Sequence, residues 1–257
     1  MRKVELSSFD MMHEDTGATP PADQNRAKLE RMATEKVQQL FTARASFYHR
    51  LFEDFFRYGN GLRAFFRTTD WLRSGVKILD AGCGGGAVTR ALSDVALQKN
   101  LGGIVFHGFD LTPAMLHLFQ RWIAKIGTKD IELQRADVLH LEGLPRHWRD
   151  YDLIVSSAML EYLPKAALSR ALMGLKGRLK PDGVLLIFIT RRNILMRWMI
   201  QAWWKAEMHT REELIDAFRA AGFRGIRFAR FPFPYSYQNL WGFIVEAKNR
   251  QTEVGSG

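Results

Sequence analysis

The sequence has 257 residues, of which 47% are hydrophobic, and a formal net charge of +10. This length predicts one domain with a single core and an N-terminal extension. The single cysteine excludes a disulfide framework and a cysteine-built metal site, and no stretch reaches the ~20 apolar residues of a membrane span. A basic protein can bind nucleic acid, an anionic membrane surface or an anionic substrate. Without a zinc-finger or RNA-recognition signature, the charge favours a solvated basic surface.

The start of the chain divides into an arm and a helical cap. Residues 1–24 lack periodicity and an apolar run, so we expect a flexible arm, no signal peptide and a cytoplasmic protein. Residues 25–75 repeat apolar residues at helical spacing, and we expect Gly59 and Gly61 to break the helices. Their dense aromatic side chains indicate either packing on a sheet or a lid over a ligand cleft.

A strand, a glycine turn and a helix are predicted over residues 76–92. The strand is apolar and β-branched, Asp80 stands at its end, and glycines at positions 82, 84, 85 and 86 permit a sharp turn around the small Cys83. Apolar residues then recur at helical spacing from Ala87. A strand, a glycine turn and a helix in this order are typical of the start of a nucleotide-binding α/β unit, whose ligand binds beyond the carboxyl end of the strand.

The glycine turn fits two families. Gly82, Gly84 and Ala87 satisfy the dinucleotide fingerprint G-x-G-x-x-G/A. The spacing Asp-x-Gly-x-Gly-x-Gly, from Asp80 to Gly86, resembles the first motif of the class I S-adenosylmethionine-dependent methyltransferases. An acid at the strand end suits a cationic amine better than a pyrophosphate, which it would repel.

Two more acids follow predicted strands. The strand at residues 104–109 ends at Asp110, whose two carboxylate oxygens can accept from vicinal ribose hydroxyls of either cofactor. Asp137 follows the strand at residues 131–134 and can accept from an adenine amino group. Its position resembles a methyltransferase motif that a dinucleotide fold does not require, although a turn-capping aspartate is the alternative.

The fourth and fifth strands extend the resemblance. The block at residues 151–163 resembles the small-molecule form of the fourth methyltransferase motif, which argues against a nucleic acid substrate. Residues 179–185 resemble the turn into the fifth strand. The family resemblance implies a doubly wound α/β fold with a seven-stranded, mostly parallel sheet, Rossmann-like, in which the last strand is antiparallel beside the fifth.

The resemblance also implies a site for S-adenosyl-L-methionine. Asp80 and the turn would hold the methionine end, Asp110 the ribose, and Ser156 would lie beside the sulfonium. The other cofactor-site residues that it implies are Gly82, Cys83, Gly84, Gly86, Leu111, Met115, Asp137, Val138 and Tyr48. A hydroxyl acceptor would require a general base, for which the candidates are His209, Glu161, Tyr48 and His49. No metal constellation appears in the sequence, so no metal is expected.

The segment at residues 191–208 resembles the family least, and its sequence predicts a helix that is apolar around most of its circumference. Core packing, a wall of a hydrophobic acceptor pocket and an interfacial membrane helix remain open. Thr210 and Glu213 predict a capping box that opens a helix ending at Gly222. Within a methyltransferase domain at residues 76–248, two strands complete the sheet, and residues 249–257 are expected to be a flexible tail.

The sequence thus predicts methyl transfer from S-adenosylmethionine to a small hydrophobic or lipid-like acceptor. This acceptor is inferred from the Trp- and Phe-rich segments on both sides of the motif core. Because of the basic surface and the apolar segment, peripheral contact with an anionic membrane stays a possible interaction. A non-catalytic cofactor-binding scaffold and an NAD-dependent oxidoreductase are the alternative functions.

Overall fold

The computed structural model describes residues 57–191 and 207–249 of the chain. The predicted arm and tail, most of the helical cap and most of the apolar segment lie outside the described residues. None of the described helices is long and apolar enough to cross a membrane.

Seven strands form one sheet in the order β3–β2–β1–β4–β5–β7–β6. They are β1 (Lys77–Ala81), β2 (Val105–Asp110), β3 (Ile131–Arg135), β4 (Tyr151–Ser157), β5 (Leu179–Thr190), β6 (Gly225–Ala229) and β7 (Gly242–Lys248). Strands β1 to β5 are parallel, whereas β7 is antiparallel to both β5 and β6. The predicted sheet, with its last strand antiparallel beside the fifth, is therefore confirmed. The strand order reverses between β1 and β4, which is where such folds bind their ligands.

Helices cover both faces of the sheet. They are α1 (Tyr58–Arg67), α2 (Ala87–Gln98), α3 (Pro113–Ile126), α4 (Lys165–Lys176) and α5 (Arg211–Ala220). Alternate strand residues face opposite sides, so Ile78 packs under α1 and α2 while Leu79 packs under α4 and α5. Two apolar cores therefore fix the sheet from both sides and leave the strand ends to form the site.

The two glycines of the helical cap do not break a helix. Helix α1 begins at Tyr58, directly after Arg57 in the left-handed region (φ 48°), and it contains both Gly59 and Gly61. A Cβ atom on Gly61 would overlap the side chain of Gln238. The prediction was wrong because Gly61 allows close approach of a distant segment rather than a turn.

The capping box before α5 is confirmed. The Thr210 hydroxyl accepts from the Glu213 amide at 3.2 Å, and the Glu213 carboxylate accepts from the Thr210 amide at 2.8 Å. Gly222 follows the helix at φ 84°, as its predicted terminator. These local contacts fix the start and the end of α5, the helix that leads from the fifth strand back to the sheet at β6.

Candidate cofactor-binding site

The glycine turn is docked on the end of β2. The amides of Gly82 and Cys83 both donate to the Phe109 carbonyl oxygen at 2.9 Å. Gly82, Gly84 and Gly86 all lie at positive φ, at 72°, 50° and 88°. Such backbone favours glycine, and a Cβ on Gly82 would in addition overlap the Met159 side chain. The turn therefore brings backbone close to the switch point of the sheet.

Asp110 ties the turn to the strand end. Its Oδ2 accepts from the Gly84 amide at 2.9 Å, and its Oδ1 accepts from the Thr112 amide at 2.8 Å. Burial raises the pKa of Asp110, and the same backbone hydrogen bonds oppose that rise. An ionised carboxylate accepts about four hydrogen bonds, so Asp110 can in addition accept from a ligand hydroxyl. Leu111 follows, and Met115 lies with its methyl group 3.5 Å from the position that a Cβ on Gly84 would take.

Asp80 is a buried acid with an unused acceptor. Its Oδ2 accepts from the Thr89 hydroxyl at 2.7 Å and from the Thr89 amide at 3.2 Å. Its Oδ1 is buried and has no hydrogen-bond partner among the described residues. Burial raises the pKa of Asp80 to about 7, and the nearby Asp110 charge adds to that rise. An unsatisfied buried carboxylate oxygen is unfavourable by roughly 1–3 kcal/mol or more, so this atom needs a donor.

Ser156 and Asp137 complete the strand-end set. Ser156 lies opposite Ala81 in the register of β1 and β4, and its buried hydroxyl oxygen lacks a partner in the described part of the chain. Asp137 caps its own turn, since its Oδ1 accepts from the Leu139 amide at 2.9 Å. The turn-capping alternative is thus present, while the role of Asp137 toward adenine stays a prediction. Val138 is buried in the core under α4.

A cofactor with a cationic amine and a ribose suits this donor and acceptor set. Asp80 offers a carboxylate oxygen that no described residue donates to, and Asp110 offers two oxygens at the end of the neighbouring strand. The Ala136 amide donates to the Asp110 carbonyl oxygen at 3.2 Å. The backbone directly before Asp137 therefore lies at the same sheet edge as Asp110. The three predicted acids therefore follow three adjacent strands of one sheet edge.

A second group of polar residues lies near the turn, around Glu161. Glu161 is buried in a short 3-10 turn, and its Oε1 accepts from the Thr190 hydroxyl at 2.9 Å. Its Oε2 has no partner among the described residues, and burial raises the pKa of Glu161 to about 7. The Tyr58 hydroxyl lies 2.7 Å from the Ser157 hydroxyl. Burial raises the pKa of Tyr58, and the charges of Glu161 and Asp80 contribute to this rise, so both acids lie near it.

The remaining candidate bases are distributed differently. His209 is buried and forms a backbone bridge with Arg191, directly after Thr190, so it lies close to the end of β5. Tyr48 and His49 lie outside the described residues. No local signal in the sequence points to Tyr58, Ser157 and Thr190, because these hydroxyl residues and their partners lie far apart in the chain.

The sequence model of the family described as "Methyltransferase domain" matches residues 78–183. This range contains Asp80, the glycine turn, Asp110, Asp137 and Glu161. This range is less than half of the chain, and over it the chain is similar to a methyltransferase domain. The role of the acid-and-glycine edge toward S-adenosylmethionine, which the resemblance in the sequence implies, stays a prediction.

Two curated relatives match the methyltransferase domain over part of their length. The ubiquinone biosynthesis O-methyltransferase of Haemophilus ducreyi is 29% identical over 122 residues, which are 47% of this chain and 48% of that relative. The enzyme of the same name from Actinobacillus pleuropneumoniae serotype 7 is 29% identical over 127 residues, 49% of this chain and 50% of that relative. The chain thus spans about half the length of the curated relatives it matches.

Solved structures share the fold of the methyltransferase domain at low identity. Magnesium protoporphyrin IX methyltransferase from Synechocystis PCC 6803, solved with bound SAM, gives a TM-score of 0.61 at 16% identity over 85% of this chain and 97% of that one. Phosphoethanolamine N-methyltransferase 2 of Haemonchus contortus gives 0.57 at 15% identity over 75% of this chain and 52% of that one. These likenesses establish the fold.

Proposed function

We propose that the methyltransferase domain binds S-adenosylmethionine and methylates a small hydrophobic or lipid-like molecule. The observation that carries the proposal is the buried Asp80 carboxylate beside the glycine turn, whose Oδ1 has no donor within residues 57–191 and 207–249. The amino group of this cofactor is a donor of the required charge. When bound, the cofactor supplies a methyl group that is already activated on a sulfonium, so the protein must mainly align the acceptor and exclude water.

The strand-end residues would divide the cofactor among them. Asp80 would accept from the amino group, and the two oxygens of Asp110 from the ribose hydroxyls. Asp137 and Met115 would face the adenine, and Ser156 would lie beside the sulfonium. Binding a cation would lower the pKa of Asp80 from about 7, so cofactor binding would release a proton near neutral pH.

The acceptor would lie on the side of Tyr58 and Glu161. The Tyr58 ring packs against the buried rings of Phe188 and Phe231, with centroids 6.5 and 6.2 Å away, so the core behind Tyr58 is aromatic. Aromatic walls suit an apolar acceptor. The names of the curated relatives, ubiquinone biosynthesis O-methyltransferases, support a lipid-like acceptor with a hydroxyl group.

Glu161 would act as the general base toward such a hydroxyl. Its Oε2 has no partner among the described residues, and its pKa of about 7 allows it to hold or accept a proton near neutral pH. Thr190 holds the other oxygen at 2.9 Å, which fixes the orientation of the carboxylate. His209 is the second candidate base. A carbon, amine or carboxylate acceptor would need neither.

Replacing Glu161 with glutamine tests the base. We expect methyl transfer to a hydroxyl acceptor to fall by about 10²–10⁴-fold, with cofactor affinity unchanged. The wild-type rate should rise as the pH rises through about 7, where Glu161 loses its proton, and this rise should vanish in the variant. Glu142→Gln, at an exposed position, is the matched control. An unchanged rate and pH profile in Glu161→Gln would remove Glu161 from the mechanism.

The same ionisation should appear in the stability of the protein. The pKa of Glu161 is raised from 4.5 to about 7, so the folded state favours the protonated acid. Its contribution to stability is complete below about pH 4.5 and is lost as the pH rises through about 7. Asp80, also raised to about 7, acts in the same direction. A shallower fall in stability between these pH values is therefore expected in Glu161→Gln.

The acceptor class is tested with labelled cofactor. The full chain is incubated with S-adenosylmethionine carrying a labelled methyl group and with a panel of prenylated phenols, simple phenols, fatty acids, tRNA and DNA. We expect label in the hydrophobic phenols and none in the nucleic acids. Turnover on nucleic acid alone would reject the proposal. Cofactor binding without turnover on any panel member would favour a scaffold instead.

A further inference from the structure

A cluster of metal-ligand side chains lies on the sheet away from the cofactor edge. It consists of His107 on β2, Glu132 on β3 and His147 in the loop before β4, with ligand atoms all within 4.8 Å of one another. His107 and Glu132 are register partners on neighbouring strands. We propose that these three side chains bind a divalent transition-metal ion of the Zn²⁺ class.

The distances in the cluster fit a metal better than direct hydrogen bonds. Glu132 Oε2 lies 3.9 Å from His107 Nε2 and 3.7 Å from His147 Nε2. Both separations are too long for a hydrogen bond. Tetrahedral zinc with bonds of ~2.0–2.1 Å places its ligand atoms about 3.3–3.4 Å apart. The Glu132 and His147 side chains are 59% and 65% exposed, so each can close the remaining gap and leave a water in the fourth position.

His107 is held as a metal-binding histidine would be. Its Nδ1 lies 2.7 Å from the Tyr151 hydroxyl, and its ring stacks on Trp148 at 4.4 Å between centroids. In the tautomer that donates from Nδ1 to Tyr151, the Nε2 lone pair faces Glu132 and His147. Metal-binding histidines characteristically make such a hydrogen bond with the other ring nitrogen.

Hydrogen bonds from Lys77 to backbone carbonyls hold the loop that carries His147 in place. Lys77 Nζ donates to the carbonyl oxygens of His147 and Arg149 at 2.7 and 2.8 Å. The Lys77 ammonium opposes a second cation, whereas the Glu132 carboxylate attracts it. The imidazole ligands and the carboxylate match the ligand set that zinc prefers.

The metal would be structural. His107 precedes Asp110 by three residues, which is about 10 Å along the strand, so the ion would not touch the cofactor residues. It would instead join β2, β3 and the loop before β4. We therefore expect the ion to raise the melting temperature and to leave the affinity for S-adenosylmethionine unchanged.

Zinc binding to the full chain tests this site. After removal of metals with chelator, the wild type is loaded with Zn²⁺, desalted and assayed for bound zinc, and its melting temperature is measured with and without the ion. We expect one retained Zn²⁺ per chain and a higher melting temperature. Glu132→Gln and His147→Gln should each lose both, whereas His117→Gln, at an exposed position on α3, should keep both.

Cobalt provides an independent reading of the ligand set. Co²⁺ in the wild type should give the intense visible bands of a four-coordinate site, and these should be absent in Glu132→Gln. A wild type that retains no zinc on desalting would overturn the proposal. So would zinc retained equally in Glu132→Gln and His147→Gln, because the ion would then be held elsewhere.

Discussion

Replacing Gly86 with alanine should destabilise the methyltransferase domain by about 2–5 kcal/mol, a large share of the ~5–15 kcal/mol that stabilises a typical domain. Gly86 precedes α2 with φ at 88°, where a side chain is strained. A Cβ atom there would also lie 2.5 Å from two carbons of the buried Phe119 ring. The ring cannot yield easily, because Phe119, which belongs to α3, is fully buried in a cluster with Cys83 of the turn. Denaturant unfolding followed by circular dichroism measures the change.

Gly102→Ala is the matched control for this experiment. Gly102 has no positive φ, and a Cβ atom there would meet no atom of the described residues within 4 Å. We expect its free energy of unfolding to stay within about 0.5 kcal/mol of the wild type. Equal stability of Gly86→Ala and Gly102→Ala would contradict the close contact between residue 86 and the Phe119 ring.

Replacing Asp110 with alanine should weaken the binding of S-adenosylmethionine by about 10²–10³-fold, since charged hydrogen bonds contribute roughly 1.5–3 kcal/mol each. The variant loses two proposed acceptors for the ribose. It also removes the acceptor of the Gly84 and Thr112 amides, which donate to Asp110 at 2.9 and 2.8 Å in the wild type, so the turn itself loosens. Calorimetric titration with the cofactor measures the affinity.

Two further variants separate these effects. Asp110→Asn keeps one acceptor oxygen and should bind with intermediate affinity. Asp130→Ala, at an exposed position next to β3, should bind like the wild type. Unchanged affinity in Asp110→Ala would refute the assignment of Asp110 to the ribose.

Much of the fold follows from local patterns in the sequence. The spacing from Asp80 to Gly86 forces a turn between a buried strand and a helix, because positive φ at alternate positions suits glycine. Thr210 and Glu213 fix a helix start through contacts only three residues apart. Such features need no tertiary information, so they are readable in advance.

Long-range pairings could not be read in the same way. Tyr58 and Ser157 are 99 residues apart and meet only because α1 packs beside the end of β4. Gly61 accommodates Gln238 from a segment near the end of the chain, which local propensity for a break does not reveal. The His107, Glu132 and His147 cluster is likewise assembled by strand register. In each case tertiary packing, rather than the sequence spacing, creates the contact.

The most direct test of the account is calorimetric titration of the wild-type chain with S-adenosylmethionine, with NAD as the comparison ligand. Among the described residues, Oδ1 of the buried Asp80 has no donor, and the pKa of this carboxyl is about 7, so Asp80 should favour the cationic cofactor. We predict one site for S-adenosylmethionine, with proton release near pH 7, and no comparable binding of NAD. Binding of NAD alone, or of neither ligand, would contradict the assignment of this sheet edge to S-adenosylmethionine.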